Sequence, residues 1–526
     1  MIDKFKRLFH TLKYLKRKQI AYRIFYFSRK KWRSLFGFKY TASIEKNAFP
    51  LVLSNSIYPP ISCHNNTFSF LNKSKTFSGF PDWNFAGYGK LWTYNLNYFD
   101  FLNQEEINMD RSVELINNYI DSFKDLKDGL EPFPIALRGM NWIKFFSKHK
   151  IIDAKFDHSL YAQYKILEDQ LEYHLLGNHL LENGFSLLFA SYYFKDAGFY
   201  RSASDILVKE LKEQILPDGA HFELSPMYHQ IMLFRLLDCI DLVKNNDFFG
   251  SSKLPLLEEK ASLMLGWLMQ ISFADGSIPL LNDSANGVAP STNELFAFAK
   301  YLKITPSQNV LKESGYRVFK RQYFEMIVDV GDIGPDYIPG HAHSDTFNFE
   351  LHVHEKPFIV DTGTSTYEVS SQRFSERSTS AHNTVRINNI EQSEVWSAFR
   401  VAKRAKVLNV VEGPHVVSAS HDGYKSIGII HSRKFEIINN DIFIKDNFDS
   451  YGKGKSYFYI HFHPDVHVTL ENNLILADSH TISCIGKYSF SLSNYNYSPE
   501  FNKLIPSIVL IVEFEGNLET CIRLQI

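Results

Sequence analysis

The sequence predicts an α+β protein of several domains, in which a helical domain is followed by an antiparallel β-sandwich. Three observations lead to this prediction. From about residue 91 to residue 305, apolar side chains recur at i, i+3 and i+4, as in amphipathic helices. Near residue 315 the spacing changes to the alternation that is typical of strands. The chain of 526 residues, 44% of them hydrophobic, is long enough for two or three domains with substantial cores.

The first 36 residues form a basic segment, with twelve Lys or Arg and one acidic residue, Asp3. Its apolar residues recur at roughly helical spacing: Leu8, Leu12, Leu15, Ile20 and Ile24. A basic amphipathic helix can lie on an anionic membrane, but an ordinary surface helix that caps the fold would show the same pattern. Residues 37–90 are rich in Asn, Ser, Pro and Phe and are predicted to be an irregular segment that wraps onto the next domain. Residues 1–90 therefore form one N-terminal unit.

The predicted helical domain spans residues 91–310. Gly, Pro, Asn and Asp breakers separate its eight segments of helical period. These segments are residues 111–127, 134–148, 157–175, 179–195, 199–215, 226–246, 254–273 and 291–303. Antiparallel helices of this length could close into a toroid of helix pairs, although a plain bundle would show the same pattern.

The predicted β-sandwich spans residues 311–526. Its segments alternate or run apolar, as in YFEMIVDV, TFNFELHVHEKPFIVD, GIIHSRKFEII, DIFIKDNF, YFYIHFHP and SIVLIVEFEG. Active sites commonly lie where two such domains meet, so we expect one at the boundary between the helices and the sandwich.

Composition and charge narrow the classes of partner and the cellular location. Lys and Arg number 57 against 58 Asp and Glu, so the bulk charge does not indicate a nucleic-acid or membrane partner. The four cysteines are scattered without CxxC spacing, which indicates neither a zinc knuckle nor a disulfide framework. The N-terminus lacks the pattern of a signal peptide and no stretch of ~20 apolar residues is present, so we expect a cytoplasmic protein.

The motif GHAHSDTFNFELHVHEKPFIVD and the loop that follows it concentrate histidines around a carboxylate. His341 and His343 are predicted to point to the same face of a strand. His343 precedes a strand, Asp361 ends the next one and His382 lies in the following loop. Imidazoles and a carboxylate suit Zn²⁺ or Mn²⁺, but histidine-rich strands also occur on solvated sandwich faces.

Two motifs of the helical domain, GNHLLENG and HFELSPMYHQ, carry polar side chains. Asn178 is predicted to be the N-cap of a helix, and His179 and Glu182 lie three residues apart on one of its faces. Tyr228 and His229 are predicted to project from the first turn of a second helix. The alternative for the first motif is a helix cap beside a surface histidine.

These motifs, in the order GNHLLENG, DGAHFELSPMYH, GHAHSDTFNFEL and VDTGTSTYE…RSTSAHNTV, resemble those of the heparinase II/III-like polysaccharide lyases. The resemblance covers about residues 90–400, and the sandwich continues beyond it. It implies an (α/α) incomplete toroid that carries a β-sandwich, and β-elimination at a uronic acid of an acidic polysaccharide. Glycosaminoglycans are the expected substrates, namely hyaluronan, chondroitin sulfate or heparan sulfate. Gln230 stands where an alginate-cleaving relative has arginine, which makes alginate the weaker candidate.

The resemblance also implies roles for individual residues. Asn178 is expected to neutralise the uronate carboxylate, so that a base can remove the proton at C5. Tyr228 is the expected acid, and also the base where proton and leaving group lie on one face, whereas His341 is the base on the opposite face. Further side chains expected at the substrate are His179, Glu182, His229, Arg373 and Arg377. A lowered tyrosine pKa would need a nearby cation, for which His229 and the two arginines are the candidates. His343, Asp361 and His382 are expected to hold a structural divalent ion, Zn or Mn.

Two other functions fit the same sequence. Similar chains accompany surface-polysaccharide biosynthesis, so the protein could bind or process an acidic polymer without lyase turnover. A hydrolase with paired carboxylates is the third possibility, for which only Glu182 and Glu223 lie inside the motifs. The resemblance also implies, as the alternative to the cytoplasm, a periplasmic or secreted location.

Overall fold

The computed structural model describes residues 2–54, 57–450, 454–471 and 473–525. Within these residues the α-helices are α1 (Ile2–Leu12), α2 (Arg17–Leu35), α3 (Lys90–Tyr98), α4 (Met109–Asp121), α5 (Pro132–His149), α6 (Ala154–Asp169), α7 (Gly177–Phe194), α8 (Ala197–Gln214), α9 (Pro226–Asn245), α10 (Leu254–Ile271), α11 (Thr292–Tyr301) and α12 (Ser371–Glu376). Helices α4–α11 correspond to the eight predicted segments. The third one ends earlier than its apolar pattern indicated, because residues 170–176 form turns before α7.

The strands in the described residues are β1 (Cys63–His64), β2 (Thr67–Phe70), β3 (Lys73–Thr76), β4 (Tyr316–Lys320), β5 (Phe324–Asp329), β6 (Phe349–Val353), β7 (Lys356–Ile359), β8 (Val385–Ile387), β9 (Val395–Trp396), β10 (Arg400–Val401), β11 (Val407–Gly413), β12 (Val416–His421), β13 (His431–Ile438), β14 (Asp441–Phe448), β15 (Ser456–His461), β16 (Val468–Glu471), β17 (Leu474–Ala477), β18 (His480–Tyr497) and β19 (Ile505–Arg523). The small antiparallel sheet β1–β2–β3 lies where the sequence predicted only an irregular segment. Its strands are too short to show a period.

Strands β4–β8 and β11–β19 build the predicted sandwich, while β9 and β10 pair only with each other. The four-stranded sheet β4–β5–β6–β7 is antiparallel throughout. The larger sheet runs β11–β12–β13–β14–β19–β18–β17–β16, and β15 pairs with both β19 and β8. Buried side chains alternate along β12, β13 and β14, because the inner face of an antiparallel sheet packs on the core and the outer face does not.

The helices form a separate core, and α7 is its centre. Nearly all side chains of α7 are buried, since α5, α6, α8 and α9 surround it. Helix α9 begins at Pro226, and the hydroxyl of Ser225 caps it by accepting a hydrogen bond from the backbone of Tyr228. Both motifs of the helical domain therefore lie at helix starts, which face the sandwich.

The basic N-terminal segment forms two helices, α1 and α2. They lie on the surface of the helical domain and of the sandwich, through polar contacts such as Arg29 with Asp169 and the Arg7 guanidinium with Glu394. No helix in the described part of the chain is long and apolar enough to cross a membrane.

A buried cluster in the sandwich joins one carboxylate to an arginine and a histidine. Asp446 accepts hydrogen bonds from Arg433 at 2.7 and 2.9 Å and contacts His431 Nε2 at 2.7 Å. Burial alone would raise the pKa of Asp446, but Arg433 and His431 outweigh burial and lower it. Arg433 also donates to the carbonyls of Phe347 and Asn383, so the cluster ties β13 and β14 to the loop that carries His382.

Replacing Asp446 with asparagine is expected to lower the free energy of unfolding by about 3–5 kcal/mol, because it leaves the Arg433 charge buried without its partner. The folded-state pKa of Asp446 lies below its unfolded value, so this stabilisation is present above about pH 4 and is lost as the pH falls further. Thermal unfolding followed by circular dichroism should show a large difference from the wild type at neutral pH and a smaller one at about pH 3. An equal difference at both pH values would contradict this assignment.

Candidate active site

A cleft with a volume of about 670 Å³ opens between the helical domain and the sandwich. Helices α5, α7 and α9 and the segment 276–294 form most of its walls. The sandwich contributes Tyr367 and Phe501. A cleft of this size between two domains is typical of a site for a small molecule or for a few sugar units of a polymer.

Asn178 lines the cleft from the first turn of α7. Its backbone N–H donates to Glu223 Oε1 at 2.9 Å, while its side-chain Oδ1 is buried and has no hydrogen-bond partner among the described residues. The prediction of an N-cap at Asn178 is wrong by two residues, since Leu176 occupies that position. Gly177 has φ +59°, and a Cβ there would lie 2.6 Å from Glu223 Oε1, so the turn requires glycine. The absence of a Cβ at Gly177 lets the Glu223 carboxyl group contact the first turn of α7.

Two buried carboxyl groups accompany Asn178. Glu182 lies one turn further along α7 and accepts a hydrogen bond from Arg235 Nε at 3.3 Å. Glu223 has a second oxygen, Oε2, that lies 3.4 Å from His341 Nε2. Burial raises the pKa of both glutamates, so each holds a proton more readily than an exposed glutamate does.

Tyr228 and His341 meet at the boundary between the two domains. Their rings stack with centroids 3.9 Å apart. The hydroxyl of Tyr228 lies 3.3 Å from that of Tyr367, which comes from the sandwich. Burial raises the pKa of Tyr228, so the expectation of a lowered tyrosine pKa is wrong: Arg373 acts in that direction but burial is the larger effect.

Asp283 connects His341 to the histidine behind it. One carboxylate oxygen lies 3.0 Å from His341 Nδ1, and the other lies 2.8 Å from His343 Nε2. Arg373 completes the cluster with both terminal nitrogens on the same carboxylate. Burial would raise the pKa of Asp283, but the Arg373 guanidinium and the histidines outweigh it and hold that pKa well below its usual range. The ionised Asp283 therefore accepts hydrogen bonds from Nδ1–H of His341 and Nε2–H of His343, which leaves the lone pair of a neutral His341 ring on Nε2.

The predicted metal ligands come together beneath His341. The rings of His343 and His382 lie 5.3 Å apart, and His382 Nδ1 lies 2.7 Å from Asp361 Oδ2. His343 Nδ1 and His382 Nε2 are buried and have no partner among the described residues. No three His, Cys, Asp or Glu side chains in the described ranges stand at chelating distance from one point. The prediction that His341 and His343 share a strand face is wrong, because both precede β6 in irregular backbone and meet through Asp283 instead.

Four other predicted substrate contacts have different surroundings. His179 is partly exposed, packs on Phe133 and bonds Glu172, whose charge outweighs burial and raises the pKa of His179. His229 is fully buried between the backbone of His221 and the carbonyl of Met264, and burial lowers its pKa to about 3.

The two arginines lie below the cleft rather than in it. Arg373 and Arg377 have no exposed surface. Arg373 is held by Asp283 and the carbonyl of Ala398, and Arg377 donates to the carbonyls of Ala342, Ser397 and Ala398. Their placement is that of supports for the loop with His341, because each guanidinium is fully buried and already uses four of its five N–H donors on protein groups.

The sequence reasoning missed Asp283, Tyr367 and Arg235. Asp283 follows the buried run Pro279–Leu281 in a short polar loop and lies 58 residues before His341, so no local pattern connects them. Tyr367 lies in the motif VDTGTSTYE, and an aromatic side chain in this polar loop is the feature that could have indicated a substrate contact. Arg235 lies two turns after Tyr228 on α9, where an amphipathic helix commonly carries a surface arginine.

Two family models match the chain. The model described as Heparinase II/III N-terminus matches residues 142–312, and the model described as Heparinase II/III-like, C-terminal matches residues 303–525. Together they cover most of the helical domain and the whole described sandwich.

Similar proteins agree with these models. The chain is 28% identical over 303 residues to a heparin-sulfate lyase of Bacteroides stercoris and 25% identical over 302 residues to a heparin-sulfate lyase of Pedobacter heparinus. Each match covers 51% of this chain and 44% of the relative, so the chain aligns with less than half of the length of these curated relatives.

Solved structures show the same architecture. The crystal structure of heparinase III superposes with a TM-score of 0.72 at 18% identity, over 95% of this chain and 89% of that one. A heparan sulfate lyase from Pedobacter heparinus gives a TM-score of 0.55 at 17% identity, over 87% and 81% of the two chains. At such identities the likeness concerns the fold, and it confirms the prediction of a helical toroid followed by a β-sandwich.

Proposed function

The chain belongs to the heparinase II/III-like family, as its motifs predicted, and from this premise we propose that it is a polysaccharide lyase for uronic-acid-containing chains. The observation that carries the proposal is that Asn178 and Tyr228 line one cleft and that the ring of His341 stacks on Tyr228 with centroids 3.9 Å apart. Glu223 lies between them, with one oxygen on the backbone N–H of Asn178 and the other 3.4 Å from His341 Nε2. This group unites an acid, a base and a carboxylate-binding amide, which are the three parts that β-elimination requires.

Asn178 is the proposed partner of the substrate carboxylate. The proton at C5 of a uronate is weakly acidic, and it becomes removable only when the neighbouring carboxylate is neutralised. The side-chain Nδ2 of Asn178 can donate a hydrogen bond to that carboxylate, whereas its buried Oδ1, which has no partner among the described residues, can only accept one, as from a sugar hydroxyl or a protonated carboxyl group. Glu223 positions Asn178 by accepting a hydrogen bond from its backbone N–H, and burial raises the pKa of both Glu223 and Glu182, which disfavours their charged forms near the uronate.

His341 is the proposed base and Tyr228 the proposed acid. Asp283 accepts a hydrogen bond from Nδ1–H of His341, so the lone pair of the neutral ring lies on Nε2, the nitrogen 3.4 Å from Glu223 Oε2, and Nε2 takes the proton from C5. The electron pair of that C–H bond forms the C4–C5 double bond as the C4–O bond breaks, and the leaving oxygen takes the phenolic proton of Tyr228. The raised pKa of Tyr228 supports the acid role and disfavours the tyrosinate that a base would need.

The charges of the cleft support a substrate with little sulfate. Its lining has five carboxyl groups, Asp100, Glu182, Asp238, Asp241 and Glu294, against three cationic side chains, Lys144, Lys148 and Arg235. Lys144 pairs with Asp238 at 2.5 Å and Arg235 pairs with Glu182 at 3.3 Å. Because paired cations offer little to a sulfate, we propose unsulfated or weakly sulfated glycosaminoglycans, such as hyaluronan or low-sulfate heparan sulfate.

The test is a lyase assay over a panel of polymers. Elimination conjugates the new double bond with the carboxylate, so turnover raises the ultraviolet absorbance of the product. We expect this rise in absorbance with hyaluronan or low-sulfate heparan sulfate and a much smaller rise with heparin. Alginate, a uronate polymer without amino sugars, serves as the comparison. If every polymer binds in equilibrium dialysis but none yields absorbance, the protein is a binding or biosynthetic member of the family. Depolymerisation without absorbance would indicate a hydrolase.

We also propose that His343 and His382 bind a divalent ion, Zn or Mn. Their unpaired nitrogens, Nδ1 and Nε2, fit the donor chemistry of such an ion, and Asp283 and Asp361 hold the opposite nitrogens as carboxylates do behind metal-bound histidines. Asp361, predicted as a third ligand, contacts His382 Nδ1 in this arrangement. The ion would stabilise the sandwich by joining the loop before β6 to the loop before β8.

Replacing His343 with alanine is expected to remove the metal and to lower the melting temperature. An ion at about 100 times its Kd stabilises a fold by about 2.7 kcal/mol, and the variant should lose this contribution. Metal content is measured by mass spectrometry, and unfolding is measured with and without a chelator. The matched control is His352→Ala, another buried histidine of the sandwich, which packs on Phe273 and should retain the metal. Undiminished metal in the His343 variant would contradict the assignment.

A further inference from the structure

Helix α2 is attached to the protein by its polar face. The Gln19 side chain donates to the carbonyl of Leu175 at 3.0 Å, and the Tyr26 hydroxyl donates to that of Leu171 at 2.6 Å. One turn further, Arg29 and Arg33 both pair with Asp169. These residues lie on one side of the helix, because they are spaced by three, four or seven positions.

The opposite face of α2 is apolar and exposed. Ile20, Ile24, Phe27 and Leu35 recur at helical spacing, and Leu35 is 83% exposed. Trp32 flanks them and is 61% exposed. This orientation is the reverse of an ordinary surface helix, whose apolar stripe faces the core. The exposed apolar surface continues beyond α2 through Leu8, Phe9, Leu12, Phe36 and Phe38.

Positive charge lies within and beside this face, since Lys31 stands four residues from both Phe27 and Leu35 and its ammonium lies over the Phe27 ring. Arg17, Lys18, Lys30, Lys31 and Lys39 are all exposed. The first 36 residues hold twelve of the 57 Lys and Arg, although the whole chain has a formal net charge of −1. An apolar stripe flanked by Lys and Arg is complementary to a bilayer surface with anionic headgroups, since the apolar side chains enter the interface while the cations stay at headgroup level.

We propose that helices α1 and α2 dock the protein on an anionic lipid surface. The exposed face of α2 lies parallel to the membrane plane, with Ile24, Phe27 and Leu35 in the interface and Lys30 and Lys31 beside the headgroups. A second copy of this chain is a poorer occupant of the face, because two such basic surfaces would repel each other. An acidic protein partner would satisfy the charge, and the experiment distinguishes it.

The experiment measures sedimentation of the full chain with vesicles of phosphatidylcholine, with and without phosphatidylglycerol. We expect at least about tenfold stronger binding to the anionic vesicles, with weakening at high salt. Trp32 provides an internal signal, because four of the other five tryptophans are buried. Its fluorescence should shift to shorter wavelength on binding, and Trp32→Phe should abolish that shift.

Two sets of variants identify the surface. Ile24→Ser with Phe27→Ser and Leu35→Ser, or Lys30→Glu with Lys31→Glu, should reduce vesicle binding at least about tenfold. The matched control, Ile152→Ser with Val310→Ser and Val369→Ser, removes equally exposed apolar side chains elsewhere and should leave binding unchanged. The proposal is overturned if the wild type does not bind anionic vesicles. It is also overturned if the control variant loses binding equally, or if analytical ultracentrifugation shows that the face forms a dimer.

Discussion

Replacing Tyr228 with phenylalanine is expected to lower kcat by about 10²–10⁴-fold, because it removes the proposed donor to the leaving oxygen. The change deletes one oxygen, which contacts the Tyr367 hydroxyl at 3.3 Å, so the ring stack with His341 and the fold should persist. KM should change little. The measurement is steady-state kinetics by ultraviolet absorbance on the polymer that the panel identifies.

The matched control is Tyr367→Phe, which removes the neighbouring hydroxyl but leaves Tyr228 in place. We expect a loss of at most about tenfold, since one neutral hydrogen bond contributes about 0.5–1.5 kcal/mol. If Tyr367→Phe lost as much kcat as Tyr228→Phe, the acid would have to be reassigned to Tyr367 or to the pair.

The pH profile of the wild type separates the two roles of Tyr228. Because burial raises its pKa, the phenol remains protonated up to and beyond pH 10, its ordinary pKa. An acid acts in its protonated form, so kcat should not fall between about pH 7 and pH 10 on account of Tyr228. A tenfold rise of kcat per pH unit over this range would instead identify a tyrosinate base.

Replacing Asp283 with asparagine is expected to reduce kcat by about 100-fold or more, although Asp283 is fully buried and does not line the cleft. The carboxylate holds the Nδ1 proton of His341, and an amide in its place can present a donor and reverse the tautomer. The same change leaves Arg373 without its countercharge, so we expect a loss of about 3–5 kcal/mol in the free energy of unfolding.

A second buried carboxylate provides the control for this experiment. Asp446 is held by Arg433 and His431 much as Asp283 is held by Arg373 and His343. Asp446→Asn should therefore lose comparable stability but little kcat, when both variants are assayed well below their melting temperatures. If the two variants lose stability and kcat in equal proportion, Asp283 has only a structural role and does not position His341.

Local sequence patterns predicted much of the architecture. The eight helices α4–α11 and the change to strands after them follow from the spacing of apolar residues, because a helix and a strand each bury one face at a fixed period. The motifs likewise singled out Asn178, Tyr228 and His341, which come from α7, α9 and the loop before β6. In the fold Asn178 and Tyr228 line one cleft, and His341 stacks on Tyr228. The short strands β1–β3 gave no period and were not predicted.

The sequence by itself determined the fold class, the family and the residue types that the chemistry needs. Only the tertiary structure decided what state those residues are in. Asp283 meets His341 and Arg373 across 58 and 90 residues of chain, and burial between the domains raises the pKa of Tyr228 that a neighbouring cation was expected to lower. The physical reason is that a charge depends on its solvation and its nearest partners, and both are set by contacts between segments that no local pattern connects.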